Sequence, residues 1–279
     1  MVDVHTYGVL RDLSVYVSIA TVLSLVAYRM MRQLRPEISW NQEGQVLSRP
    51  YGAPDLMVLA GLGLFFIFAM QPPETGSGGG SGEAASDSSL ILSMAFNLIV
   101  CVALLLYLFQ VRGLNPAELF GLQHLHWRLL GLVVVVFAVV ILISVNLVSA
   151  LSVSWLEKVW TDLQPQETVK AFQESSGIGF KILVIIAAVV IAPLAEETLF
   201  RGFVYGVLKR YTDAPFAALS SSLMFAIIHM HVGSLMPLWM LAVLLCLAYE
   251  ITGCLLVPML LHAIFNGVSI VAMMVGAGD

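Results

Sequence analysis

The sequence predicts an all-α, polytopic membrane protein with about eight transmembrane helices. Two observations support this fold class. The 279 residues are 59% hydrophobic and 11% charged, with a mean hydropathy of +0.92, whereas soluble domains are about 45–50% apolar and about 25% charged. The chain also contains a succession of apolar runs, most of them long enough to cross the roughly 30 Å hydrocarbon core of a bilayer.

Each apolar run is predicted to form one helix. The runs lie near residues 13–31, 54–71, 89–110, 128–150, 181–208, 216–232, 235–250 and 253–275.

Three segments between the runs have their own signals. Asn115, Pro116 and Glu118 supply an N-cap, a proline at the first helical position and an acid in the first turn, which predicts a short helix. Residues 166–174, after Pro165, are predicted to form an interfacial helix. Residues 77–88 have the Gly/Ser-rich composition of a flexible linker.

Lysine and arginine residues predict the orientation. Arg29, Arg32, Arg35 and Arg49 crowd the first loop, and the second loop has none. The positive-inside rule then places the odd-numbered loops in the cytoplasm and both termini outside. The predicted location is a multi-pass position in a bacterial plasma membrane. A net charge of −5 without a basic stripe argues against a nucleic-acid partner, and none is predicted.

The ionisable residues are unevenly distributed among the runs. The first four runs contain no interior acid, base or histidine, and all such residues gather in the last four. We therefore predict a membrane-anchoring region over residues 1–175 and a functional core over residues 176–279. The site is expected inside the last four helices.

The fifth run contains a cluster of charged side chains. A charge at membrane depth costs at least about 2.5–3.5 kcal/mol, so such a cluster needs a physical reason. Glu197 and Arg201 are four residues apart and are expected to pair on one helix face. Glu196 lies about 100° around the axis and is free to face another partner. A purely structural role for the Glu197–Arg201 pair stays open.

Two further clusters follow at the same predicted depth. Phe225 precedes His229 by four residues, and His262 precedes Asn266 by four, so each pair shares a helix face. At 1.5 Å per residue, Glu196 lies ~20 Å, His229 ~18 Å and His262 ~15 Å from the inner membrane edge. The three depths agree only if the fifth helix is long and reaches Lys209. We predict that this helix is tilted or kinked at Pro193.

These residue types suit hydrolysis. A carboxylate and an imidazole in a sheltered pocket can deprotonate a water molecule for attack on a carbonyl. A second histidine and an asparagine amide can donate hydrogen bonds to the oxyanion that forms. Structural alternatives to these catalytic roles remain open. Membrane histidines often serve only as helix–helix hydrogen-bond donors, and Phe225 could serve only in packing. His231, two residues beyond His229, is predicted to be structural.

A zinc site is a second chemical interpretation. Glu196, His229 and His262 are the ligand types of some zinc proteases. Against this, the chain has no His-Glu-x-x-His motif, and few second-shell acceptors are expected among the apolar neighbours. We therefore predict neither a metal nor a cofactor, and activity that survives a strong chelator.

The motifs resemble those of the CAAX protease and bacteriocin-processing family, also called the ABI family, of intramembrane glutamate endopeptidases. The family pattern is Glu-Glu-x-x-x-Arg, Phe-x-x-x-His and His-x-x-x-Asn on successive core helices, complete and in order here over roughly residues 180–275. The resemblance implies a metal-independent endopeptidase. Glu196 and His229 would activate water, His262 and Asn266 would form the oxyanion site, and Glu197 and Arg201 would support it, with Phe225 in the second motif.

The predicted partners are the lipid bilayer and a protein or peptide substrate, a class that includes membrane-associated proteins, with access from the cytoplasmic side. The alternative is a non-catalytic immunity or scaffold protein of the same fold. A proton-coupled transporter is disfavoured because the sequence shows no internal repeat.

Overall fold

The computed structural model describes residues 4–34, 44–69, 87–123, 127–156, 167–174 and 177–276. Most of the linker predicted at residues 77–88 lies outside these ranges; Asp87 and Ser88 instead begin a helix. Within the described ranges the protein is all-α, as predicted, with no strand.

The described residues form ten helices. They are α1 (Val4–Leu34), α2 (Ala53–Ala69), α3 (Asp87–Leu106, prolonged by a π-helical turn at Tyr107–Val111), α4 (Pro116–Leu119), α5 (Trp127–Leu156), α6 (Glu167–Glu174), α7 (Ile178–Tyr211), α8 (Ala214–Ile227), α9 (Val232–Thr252) and α10 (Leu256–Gly276).

Six of these helices are long and apolar enough to cross a membrane: α1, α3, α5, α7, α9 and α10. The other two predicted runs form shorter apolar helices, α2 and α8. The described structure therefore has six candidate spans where the sequence predicted about eight. α8 is short because it ends at Ile227 and a turn follows at once, whereas apolar composition continues to Val232. The chain is an integral, multi-pass membrane protein.

Both predicted short helices are present. Asn115 caps α4 by accepting a hydrogen bond from the backbone N–H of Ala117, and Pro116 occupies the first helical position. α6 covers residues 167–174, as expected after Pro165. The polarity of the intervening segments was thus sufficient to place both helices.

α7 is the long helix that the common depth of the site residues required. It runs for 34 residues from Ile178 to Tyr211. Two π-helical segments interrupt its α-helical geometry, at Ala187–Ile191 and at Phe200–Tyr205. The first ends two residues before Pro193. Single-turn π-helical insertions often occur at functional sites.

α7 lies at the centre of the helix packing. It contacts α3, α8 and α10, while α5 packs against α9 and α10, and α1 packs against α8 and α2. The outer faces carry exposed apolar side chains; Met57 is 75% and Leu92 71% exposed. Exposed apolar faces of this extent suit contact with lipid. The division at residue 175 stays a prediction, since helices from both parts pack together.

One end of the bundle is closed by α4 and the loop of residues 44–52. Lys209 donates to the carbonyl of Val46, Tyr51 donates to the carbonyl of Gly202, and the N–H of Leu255 donates to the carbonyl of Phe120. These contacts join both segments to the ends of α7 and α9. We call this end the closed end.

Asp55 at the start of α2 corrects the expectation that the first four runs hold no interior acid. Its side chain is fully buried. Arg112 donates to both carboxylate oxygens at 3.0 Å, and Tyr107 donates to Oδ1 at 2.9 Å. The acid is tolerated because it is paired and hydrogen-bonded, as buried charges must be.

Candidate active site

Glu197 is the most enclosed member of the site, with no exposed surface. Its Oε1 accepts a hydrogen bond from Arg201 at 2.9 Å, so the predicted pairing within α7 is present. The same oxygen accepts from Nδ1 of His262 at 2.8 Å. Because a carboxylate at this position accepts, Nδ1 of His262 carries the proton. The structure thus joins two of the three sequence motifs through one oxygen atom.

Arg201 is buried like its partner and is held from two further sides. It donates to the carbonyl of Ala242 in α9 at 3.0 Å. Its guanidinium lies over the ring of Phe225, 4.8 Å from the ring centre. A cation–π contact of a desolvated guanidinium contributes up to about 2 kcal/mol. Arg201 therefore links α7, α8 and α9 at the base of the site.

Glu196 faces away from this pair, as its position on the helix predicted. Its side chain is 18% exposed and lines a cavity. Its Oε2 lies 4.0 Å from Nε2 of His262. His262 therefore lies between two carboxylates. Glu197 is hydrogen-bonded to Nδ1 of its ring, and Glu196 lies 4.0 Å from Nε2 without a hydrogen bond.

His229 follows the last turn of α8 and is fixed by its own helix. Its Nδ1 lies 2.7 Å from the carbonyl oxygen of Phe225. A carbonyl can only accept, so Nδ1 is protonated and Nε2 is left as an acceptor. The ring of Phe225 packs 4.7 Å from that of His229 and 5.8 Å from that of His262, centre to centre. Phe225 thus packs against both imidazoles.

Asn266 is held by a carbonyl that α7 leaves without its usual donor. Within the first π-helical segment, the N–H of Ala192 bonds to Ala187. The next donor in this i→i+5 pattern would be residue 193, which is a proline and has no N–H. The carbonyl of Ala188 instead accepts from Nδ2 of Asn266 at 2.8 Å. The second N–H of that amide is available to another acceptor.

The four predicted catalytic residues line one cavity of about 430 Å³: Glu196, His229, His262 and Asn266. This volume lies in the range of about 300–1,000 Å³ that is typical of ligand pockets. A second cavity, of about 70 Å³, lies between α1, α2, α7 and α8 and has a mainly apolar lining. Only the larger cavity combines titratable side chains with space for a substrate.

His231 caps the first turn of α9, where its Nδ1 accepts a hydrogen bond from the N–H of Ser234. This contact is consistent with the structural role that the sequence predicted, which stays a prediction.

The sequence argument against zinc was wrong on one point. Both imidazoles do have second-shell acceptors, because His262 donates to Glu197 and His229 donates to the carbonyl of Phe225. Within the described ranges, no three His, Cys, Asp or Glu side chains converge as a metal site. The absence of a metal from the reaction stays a prediction.

Two features of the site were not predicted. The Glu197–His262 bond joins residues that are 65 positions apart, and no local pattern in the sequence indicates it. The bond from Asn266 to Ala188 had a partial signal, since Pro193 removes a backbone donor five residues later.

The chain was compared with protein families, curated proteins and solved structures. Residues 178–268, about a third of the chain, match a family model described as Rce1-like, type II CAAX prenyl endopeptidase. No curated protein and no solved structure matched. The matched residues include all seven predicted site residues. The match to a protease family implies a peptide substrate and a membrane location, and it confirms that the chain resembles the CAAX protease family.

Proposed function

We propose that the protein is a membrane endopeptidase that hydrolyses a peptide bond with a water molecule activated by Glu196 and His229. The observation that carries this proposal is the single cavity lined by the carboxylate of Glu196, the two imidazoles of His229 and His262, and the amide of Asn266. The family match supports a protease at family level. The roles of the individual residues are inferred from their hydrogen bonds.

The water molecule would lie between Glu196 and His229. Nε2 of His229 is an acceptor, because Nδ1 donates to Phe225. Glu196 offers its carboxylate to the same cavity. One of the two groups takes a proton from water as its oxygen attacks the substrate carbonyl. The same proton then passes to the amine leaving group as the carbon–nitrogen bond breaks.

The oxyanion of the tetrahedral intermediate would be stabilised by Asn266 and His262. Asn266 has one N–H directed to Ala188 and a second that can be donated to the oxyanion. Nε2 of His262 can donate only when both ring nitrogens carry protons. In that form the ring would lie between two carboxylates, with Glu197 at 2.8 Å and Glu196 at 4.0 Å.

The remaining three residues would support the site. Glu197 fixes the ring of His262, Arg201 balances the charge of Glu197, and Phe225 packs against both imidazoles. None of these roles requires a metal. The proposed enzyme is therefore a metal-independent, glutamate-type endopeptidase.

Cleavage of a peptide library by the purified protein tests the proposal, with Glu196→Ala as the inactive comparison. We expect products whose formation is lost in the variant. A wild-type protein without activity on any peptide, in detergent and in liposomes, would contradict the proposal and favour the non-catalytic immunity or scaffold function.

A further inference from the structure

The catalytic cavity lies towards one end of the helix bundle. Its lining comes from the second half of α5, the first turns of α9 and the second half of α10, for example Ser149, Ser234 and Ser269. On α7 it uses Val184 and Ala188, which precede Glu196. In consecutive antiparallel helices, these positions all belong to the same end. We call it the open end, opposite to the closed end.

α6 lies beside the cavity at the open end. Val169 and Phe172 belong to the cavity lining. Phe172 is only 3% exposed and packs with Phe180, Val184 and Ile270, which attaches α6 to α7 and α10. Gln173, the next residue, is exposed. The cavity therefore has a described rim, and its position can be probed there.

The closed end leaves no comparable path through the described residues. The segments that cover it are bonded directly to the helices beneath them: Val46 to Lys209, Tyr51 to Gly202 and Phe120 to Leu255. Phe203, Val207 and Leu208 on α7 are fully buried there. A polypeptide would have to displace this packed layer to reach Glu196 from the closed end.

The closed end also carries most of the basic residues. Arg32 donates to the carbonyls of Arg210 and Thr212, which places the end of α1 beside the end of α7. The lysine and arginine residues of the described ranges that lie at or near this end are Arg29, Arg32, Arg49, Arg112, Arg128, Lys209 and Arg210. Those at or near the open end are Arg11, Lys170 and Lys181.

We infer that the cavity is reached from the extracytoplasmic side of the membrane. The positive-inside rule places the basic, closed end in the cytoplasm, and the open end then faces outwards. The predicted cytoplasmic access cannot be combined with the predicted orientation, because the cavity and the basic residues lie at opposite ends. The orientation rests on the charge distribution, and the access route rests on the position of the cavity. We therefore replace the predicted access from the cytoplasm with access from the outer side.

The inference narrows the substrate class, and this part rests on the proposed function. Apart from Glu196, His229 and His262, the residues of the cavity lining are uncharged. Phe172, Phe265 and Met273 make much of it apolar, while Asn146, Ser149 and Ser269 supply hydrogen-bonding groups. The substrate would be an uncharged polypeptide segment exposed at the outer face. A cytoplasmic C-terminal tail would meet the closed end instead.

Cysteine labelling tests the access route without requiring catalysis. Gln173→Cys marks the rim, Ser149→Cys marks the cavity wall, and Gln123→Cys is the matched control in an exposed position at the closed end. The parent chain, with Cys101, Cys246 and Cys254, gives the background. Intact bacterial cells are treated with a membrane-impermeant maleimide before and after permeabilisation.

We expect labelling of Gln173→Cys and Ser149→Cys in intact cells, and of Gln123→Cys only after permeabilisation. The reverse pattern would overturn the proposed orientation. Labelling of Gln173→Cys without labelling of Ser149→Cys, before or after permeabilisation, would overturn access from the open end.

A second arm tests the substrate class. A quenched fluorescent peptide without charged residues, chosen from the library and linked to a membrane-impermeant dye, is added to right-side-out and to inverted membrane vesicles. We expect Glu196-dependent cleavage in the right-side-out vesicles and its loss in the inverted ones. Cleavage in inverted vesicles alone would overturn the access proposal. Failure of cleavage even in detergent would instead contradict the proposed function, while the labelling result would still stand.

Discussion

Glu196 and His229 line the cavity, and neither side chain is paired with Arg201. Replacing them should therefore affect chemistry more than folding. We predict that Glu196→Gln and His229→Ala each lower turnover by ~10²–10⁴-fold, the usual contribution of a general acid or base. Single-turnover cleavage measures the loss, and thermal unfolding in detergent checks the fold.

Glu118→Gln is the matched control, because Glu118 is exposed on α4 and distant from the cavity. It should cleave at the wild-type rate. Loss of a catalytic acid or base costs ~10²-fold or more in turnover. If Glu196→Gln or His229→Ala retained more than about half of the wild-type turnover, the assignment of water activation to these residues would be wrong.

The Glu197–Arg201 pair makes a different prediction, because both side chains are almost fully buried. Removing one partner of a buried pair typically costs about 3–5 kcal/mol, since the other charge is left uncompensated. Arg201→Met should therefore lower the abundance of the folded protein. The double variant Glu197→Gln/Arg201→Met should restore much of it, because the glutamine oxygen still accepts from His262.

Abundance in membranes and unfolding temperature measure this recovery. A double variant no more abundant than Arg201→Met would show that the ion pair is not the reason for the loss. The contacts of Arg201 with Ala242 and Phe225 would then be the stronger candidates.

Metal dependence is the third question at this scale. Both imidazoles have the second-shell partners that zinc ligands require, so these partners do not distinguish a zinc site from a metal-free site. The geometry of the donor atoms must decide between the two. Nε2 of His262 faces Glu196 at 4.0 Å, a spacing suited to a bridging water molecule or a substrate oxygen. We predict that cleavage survives a strong chelator and that purified protein lacks stoichiometric zinc. Chelator inactivation that added zinc reverses would make Glu196 a ligand.

Spacing within one helix was the part of the site that the sequence could predict. The pairs Glu197–Arg201, Phe225–His229 and His262–Asn266 each follow from four-residue periodicity. The relation between helices was predicted only as a common depth. The structure adds that His262 bonds to Glu197, which depends on the rotation of α10 against α7. Periodicity within a single helix carries no information about that rotation.

At the scale of the element, α7 combines a proline with a π-helical turn. Pro193 cannot donate to Ala188, and the carbonyl thus exposed holds Asn266. Pro193→Ala would restore an N–H that competes for this carbonyl. We predict that turnover falls while the unfolding temperature stays equal or rises, because an oxyanion donor is displaced and a helical hydrogen bond is gained.

The affinity for substrate should change little, since an oxyanion donor acts mainly in the transition state. Pro215→Ala is the matched control: Pro215 lies in the first turn of α8, where helical N–H groups lack intrahelical partners. Wild-type turnover in Pro193→Ala would show that Asn266 keeps its position without the proline.

Helix length was predicted less well than helix position. Every apolar run does form a helix, because backbone groups in hydrocarbon must be paired within the segment. The composition of residues 216–232 nevertheless does not reveal that α8 stops at Ile227. The stop places His229 in a turn beside the cavity, at the end of a helix of only 14 residues. Hydropathy alone therefore does not place this boundary.

At the scale of the whole molecule, the two ends of the bundle differ in packing. The closed end joins loop 44–52, α4 and the turn between α9 and α10 into one layer, whereas the cavity lined by Glu196 occupies the open end. Local patterns predicted α4, but the contact of α4 with a turn more than 130 residues later had no signal in the sequence. At this contact the backbone of Gly253 occupies the space that a Cβ on Gly121 would need.

Gly121 allows a prediction about the closed end. Its φ is +66°, and a Cβ there would lie 1.8 Å from the carbonyl oxygen of Gly253. Gly113 has nearly the same φ, +64°, with no atom within 4 Å of its Cβ position. Alanine at either position meets the strain of the left-handed region, about 1–2 kcal/mol. Only Gly121→Ala also pushes α4 away from the turn after α9.

Gly121→Ala should therefore lower the unfolding temperature and the membrane abundance more than Gly113→Ala does. The separation of α4 from this turn would also break the bond from Leu255 to Phe120. The Gln123→Cys label provides an independent measurement, since its accessibility from the cytoplasmic side should rise in the Gly121→Ala background. Equal losses of stability in the two glycine variants would mean that the layer yields easily. The closed end would then be no barrier to a substrate, which would weaken the case for access from the opposite end.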